Sequence, residues 1–261
     1  MKILSNLSLA LGLTLIAGGA GAATYTFGIG STATGTSYGN TRTTNNLTVS
    51  ALSDTAAGGA LASAYVWRDG SSVLGNINQD VSDDGTVPIG SSPNHAVDND
   101  THQDSLLLSF SGGAVNLSGF SLGWAREYSG ATLLGSRADV ALLAFTGNSY
   151  YDPLGHSYTD LLSNGWSLIS EYSNVAQGTN QSTGTAVNSS YWMLAAAGGA
   201  FGSGYAGASD YFKLQSITAT PCLPGQPGCG GSNIPSVPEP SSLALAGLAL
   251  AGVFRMRRRG T

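Results

Sequence analysis

From Asp104 the chain alternates: Leu106, Leu108 and Phe110 recur at every second position, separated by Leu107 and Ser109. Successive side chains of an extended strand point to opposite faces, so a period of two marks a strand with one face on a core. The pattern resumes after Gly112-Gly113 with Val115 and Leu117, then changes phase beyond Gly119 to Phe120, Leu122 and Trp124. A phase change at a glycine predicts a bulge or corner. Residues 138–145 are apolar on both faces after Asp139, as expected of a central strand covered from both sides. Shorter strands are predicted near Tyr25, at Leu47-Thr48-Val49, over 60–67 with Tyr65 and Trp67 on one face, over 166–173 with Trp166, Leu168 and Tyr172 in alternation, over 191–197 and over 211–218. One helical turn is expected at 158–162, starting near His156-Ser157 and stopped by Asn164-Gly165. Residues 70–104 read mostly as loop, long enough to hold short strands. Many short strands with glycine-rich turns predict an all-β fold, an antiparallel β-sandwich of jelly-roll-like type.

The two ends of the chain read differently. Lys2, the apolar run 3–16 and the small residues 18–23 have the order of a secretory signal peptide, with cleavage after Ala22 or Ala23. At the other end, Val237-Pro238-Glu239-Pro240 precedes an uncharged run, 241–254, and then Arg255, Arg257, Arg258 and Arg259. A helix of that length covers about 21 Å, less than the roughly 30 Å of a hydrocarbon core, so it needs a thinned bilayer or snorkelling arginines. Basic residues stay cytoplasmic, which leaves the bulk of the chain outside. The two prolines keep the preceding peptide extended and accessible to a processing enzyme.

This tail resembles the PEP-CTERM sorting signal of Gram-negative envelope proteins. The resemblance implies recognition by an exosortase, a membrane cysteine protease-transpeptidase, and loss of the hydrophobic segment. The membrane is then a transient partner. NHAVDN (94–99), DSLLLSF (104–110), RADVALLAF (137–145), SYWMLAA (190–196) and DYFKL (210–214) are similar to the exosortase-dependent surface proteins that carry such tails. That likeness implies a secreted surface protein of β type without a catalytic activity.

Between the two ends, residues 23–236 hold fourteen acids and five bases (Arg42, Arg68, Arg126, Arg137, Lys213), a net of −9. Nucleic acid is excluded as a partner, because phosphate neutralisation needs clustered Lys and Arg. The domain division expected is a signal peptide at 1–23, the β-sandwich at 24–220, a Pro/Gly/Cys linker at 221–236 and the sorting segment at 237–261. The linker carries the chain's two cysteines, Cys222 and Cys229. An oxidising compartment permits them to pair, and the Pro-Gly turns between them can bring the thiols together.

Candidate chemistry concentrates in DNDTHQD. Asp98, Asn99, Asp100 and Asp104 are closely spaced oxygen donors of the kind calcium takes, with Asp80, Asp83 and Asp84 shortly upstream. Position 102 is His, and neither the central glycine nor the closing Glu of an EF-hand is present, so the competing reading is a solvated turn. His95 and His102 flank the same acids, as metal ligands, an acid/base pair or simple hydrogen-bonding residues; His156 reads as a residue at the start of the helix. A glycosidase needs two carboxyl groups across a cleft, and Glu127, Asp139, Glu171 and Asp210 are the strand acids available. Spacing selects no pair among them, and Asp139 and Asp210 fit equally as acids that bond turn amides. Trp67, Trp124, Trp166 and Trp192 lie on alternating strands, where core packing is the ordinary fate. The expectation is a non-enzymatic exported protein of an exopolysaccharide-rich surface or biofilm, with no cofactor unless calcium. The alternatives are a carbohydrate- or calcium-binding module and a polysaccharide-active enzyme.

Overall fold

The computed structural model describes residues 21–26, 36–37, 39–69, 73–78, 95–198, 201, 208–222 and 229. The chain divides into two units, Met1–Cys229 and Gly230–Thr261, and every described residue belongs to the first. The strands in chain order are β1 (Ala23–Thr26), β2 (Thr36–Ser37), β3 (Thr41–Thr44), β4 (Leu47–Ala56), β5 (Ala60–Ser63), β6 (Tyr65–Asp69), β7 (Val73–Ile77) and β8 (Val97–Asp98). They continue with β9 (Asp104–Phe110), β10 (Val115–Ser129), β11 (Thr132–Gly135) and β12 (Arg137–Phe145). After helix α1 (Tyr158–Ser163) come β13 (Trp166–Ala176), β14 (Asn180–Ser182), β15 (Tyr191–Ala196) and β16 (Ser209–Pro221).

These strands form two antiparallel sheets packed as a sandwich. The first runs β11-β10-β16-β7-β6-β2, with β1 and β8 also on β16 and β14 on β10. The second runs β13-β12-β15-β9-β4-β3, with β5 on β4. The predicted all-β sandwich is therefore the observed architecture.

Alternation places the core. Leu106, Leu108 and Phe110 of β9 point between the sheets with Val140, Leu142 and Ala144 of β12, Trp192 and Leu194 of β15, and Phe212 and Leu214 of β16. The intervening residues of the second sheet are apolar too, and they build another cluster on its far side. There Leu107, Ala141, Leu143, Phe145, Met193 and Ala195 are covered by Tyr158 and Leu161 of α1 and by Trp166. The central strands of this sheet are thus buried on both faces, as the continuous apolar run 138–145 required. Both fully covered indoles are satisfied: Trp192 Nε1 donates to Ser189 O at 3.0 Å and Trp166 Nε1 to Tyr151 O at 2.9 Å.

Helix α1 starts where expected. Ser157 accepts from the Asp160 amide while Asp160 accepts from the Ser157 amide, a reciprocal capping box. Three boundaries differ from the sequence reading. Residues 60–67 are two strands in different sheets, because the chain turns a corner at buried Ala64, whose amide bonds Ala51 O and whose carbonyl accepts Asn40 Nδ2. The phase change in β10 occurs between Leu117 and Gly119 as read, but the ladder with β16 shifts twice more, between Ser121 and Leu122 and between Leu122 and Trp124, and Ala125 points inward and Trp124 outward. Gly123 sits at the last of these shifts, and a Cβ there would run into the Val73 side chain. In β13, Trp166 and Leu168 pack on the outer cluster while Tyr172 packs on the inner one, since the ladder with β12 also slips between Leu142 and Leu143.

Candidate functional site

The loop 99–103 carries the chain from β8 in one sheet to β9 in the other, and that crossing disperses the acids that look adjacent in sequence. Asp98 pairs in register with Tyr211 on β16, whereas Asp104 pairs with Ser53 on β4. Asp98 accepts from the Asp100 amide at 3.0 Å, and Asp100 accepts from the Tyr211 hydroxyl at 2.8 Å. Asp104 accepts from Asn78 Nδ2 at 2.9 Å. Asn99 ties three segments together, donating to Ala197 O and accepting from the Asp210 amide at 2.8 Å. Four candidate calcium ligands thus serve separate local bonds, and among the described residues no group of three His, Cys, Asp or Glu side chains is arranged to hold a metal ion. Asp80, Asp83 and Asp84 lie outside the described residues.

The two histidines of this region also part company. His95, in a left-handed conformation at φ 68°, lies against the Trp67 ring with centroids 4.2 Å apart. His102 Nδ1 is 3.1 Å from Asp54 Oδ1, which also accepts the Gln103 amide at 2.8 Å. His156 stands immediately before the Ser157 cap, and its Nδ1 is 2.8 Å from the Tyr151 hydroxyl.

The strand acids come together more closely than sequence spacing suggested. Glu127 and Asp210 are register partners on β10 and β16, and Asp210 Oδ1 accepts the Asp139 amide at 2.8 Å. Asp139 in turn accepts the amide of Asn174, a residue held at φ 57°, at 2.6 Å. Arg137 Nε pairs with Glu127 Oε2 at 2.5 Å. Asp210 is only 1 % exposed, and its Oδ2 is buried without a hydrogen-bond partner. Burial, reinforced by the charges of Asp139 and Glu127 and countered by the Asp139 amide and the Asn99 side chain, pushes the Asp210 carboxyl up to about 7. Burial also raises Asp139; the Asn174 amide opposes that shift, Glu127 adds to it, Arg137 opposes it and Glu171 adds to it. Both acids do bond strand-end and turn amides, whereas a glycosidase pair must flank a sugar across a water-accessible cleft.

The tryptophans divide two and two. Trp166 and Trp192 are core residues. Trp67 and Trp124 are half-buried on outward faces, Trp124 with the Arg126 guanidinium and Lys213 ammonium 5.0 and 5.3 Å from its ring centroid. Two features escaped the sequence reading: the orphan oxygen of Asp210, which no local pattern signals, and an exposed Tyr150. The only local sign of the latter is a pair of adjacent tyrosines in an otherwise polar stretch.

Beyond β16, Cys222 and Cys229 form a disulfide with Cα atoms 5.5 Å apart. The Cys222 amide bonds Ala114 O at 3.0 Å, which ties the start of this small ring to the β9–β10 turn. The segment Val237-Pro238-Glu239-Pro240, the arginines 255, 257, 258 and 259, and the leader 1–20 lie outside the described residues. No curated protein matches the chain. The model of the PEP-CTERM protein-sorting motif does match, over residues 236–259. The order of prolines, apolar run and arginines is therefore a PEP-CTERM sorting motif, a signal that indicates handling by an exosortase and export to the Gram-negative cell envelope.

Proposed function

We propose that the β-sandwich is a non-catalytic cargo, delivered to an exopolysaccharide-rich surface or biofilm and freed from its hydrophobic tail at the Pro238-Glu239-Pro240 segment. The sorting motif at residues 236–259 carries this reading. The rest of the chain is consistent with it. Of the strand acids that an enzyme would use, Asp139 and Asp210 are buried on backbone amides and Glu127 pairs with Arg137. The acids of loop 99–103 and its flanks bond within the fold rather than converging on one point. A short apolar run with an arginine end fits a temporary hold on the bilayer better than a permanent span. Deleting residues 238–261 and following location and mass tests the proposal. Loss of surface display is expected in the deletion, and a mass for the displayed full-length product that corresponds to removal of the tail. Unchanged display of the deletion variant overturns it.

A further inference from the structure

Loop 146–157, between β12 and α1, is pinned along its length. The Thr146 amide donates to Gly165 O at 2.8 Å and the Trp166 indole donates to Tyr151 O at 2.9 Å. Leu61 closes the far end, accepting the Gly155 amide and donating to His156 O, both at 2.9 Å. On this fixed backbone the Tyr150 ring lies stacked on Tyr191, centroids 3.9 Å apart and planes 25° apart, while Phe145 and Trp166 meet it edge-on at 5.6 and 6.5 Å. One face of the phenol is occupied by Tyr191, yet 41 % of Tyr150 remains exposed. Burial of its hydroxyl, with the Asp152 charge and Tyr191 nearby, holds the Tyr150 pKa well above the ordinary phenol value, so the group stays a donor at neutral pH.

We infer that the open face of Tyr150 is a stacking platform for a pyranose ring of a neutral polysaccharide, with Asp152 beside it accepting sugar hydroxyls. The inference rests on the extracellular reading of the protein and deepens it by naming a ligand class and the residues that meet it. The C–H face of a pyranose is apolar and matches one aromatic ring in size, and the polar groups at the ring's edge fix orientation. A ring already locked by its neighbours loses little freedom on binding. The occupant is not a protein: a stable interface takes about 800 Å² from each partner, whereas the exposed large apolar side chains of this loop are Tyr150 and Leu154 alone, set among exposed Asn148, Ser149 and Asp152. Neither is it an acidic glycan, because the loop holds Asp152 and no Lys or Arg, so a uronate would face a like charge.

Affinity electrophoresis of the purified full-length protein, in native gels cast with hydroxyethyl cellulose or with alginate, tests this. Retardation is expected in hydroxyethyl cellulose and not in alginate. Tyr150→Ala should weaken it about tenfold, Asp152→Ala about threefold, and Tyr150→Phe should retain most of it. Leu133→Ala, on β11, should leave it unchanged. Circular dichroism melting checks that each variant is folded; Asp152→Ala, which keeps all the rings, decides the matter if Tyr150→Ala is not. Absence of retardation in hydroxyethyl cellulose, retardation in alginate alone, or folded Tyr150 and Asp152 variants that migrate like the parent would each overturn the inference. Those results would leave the sorting assignment standing, since it is read from surface display and tail removal.

Discussion

Replacing Asp210 by Asn should remove a large part of the protein's pH-dependent stability. In the native state this carboxyl titrates at about 7 against 3.8 for the free group. An acid with a raised native pKa stabilises the fold while protonated. That contribution is complete below the unfolded value and is lost as pH rises through the native one. Between roughly pH 4 and 7 the folded chain holds one proton that the unfolded chain has released, so stability falls by about 1.4 kcal/mol per pH unit. From pH 5 to pH 8 the loss sums to roughly 2–3 kcal/mol. Asp139, Glu127, Arg137 and Asn99 surround the site, and the Asp139 shift has the same sign as that of Asp210. Asn keeps a side-chain carbonyl for the Asp139 amide but carries no titrating proton. Urea unfolding followed by tryptophan fluorescence at pH 5, 6, 7 and 8 measures the effect in the parent and in Asp210→Asn. The parent should lose stability across this range with a slope the variant largely lacks. Identical pH profiles in the two proteins, or a parent stabilised by rising pH, would refute the reasoning.

Two other outcomes follow from the packing and from the dispersal of the acids. Trp192→Ala removes a fully buried indole from between the sheets and leaves the Ser189 carbonyl with the Val115 amide alone, so it should cost about 3–5 kcal/mol in the same unfolding assay. Millimolar calcium, or its removal with a chelator, should leave the thermal midpoint unchanged, because Asp98 and Asp104 sit on different sheets and each accepts a hydrogen bond within the fold; a calcium-dependent rise would require these side chains to regroup.

Much of the architecture was readable because the strands are written in period two. The run 138–145 announced a strand covered on both faces, and Ser157 with Asp160 marked the start of α1. What failed were the places where periodicity is broken more than once. By alternation Trp124 continues the inward set of Phe120 and Leu122, but a further slip beside Gly123 turns it out of the core. Ala64 divided an apparently continuous strand, since nothing local distinguishes a corner from an alanine in an extended run. The candidate sites were less legible still. Asp98 and Asp104 are six positions apart yet belong to opposite sheets, while Asp139 and Asp210, 71 positions apart, meet through one hydrogen bond. Proximity of side chains across a sandwich is decided by topology, and a single sequence states topology only indirectly.

The last strand has a mechanical meaning. β16 is central in its sheet, laddered to β10 along most of its length and to β1 over Ser216–Ala219, and it ends at Pro221 just before the disulfide ring. Tension drawn from the C-terminal side therefore enters the sandwich along the axis of β16. Antiparallel hydrogen bonds lie across that axis, so the pull shears many of them at once instead of unzipping them singly. A pull on the C-terminal side thus loads the domain in the direction in which its sheet resists best.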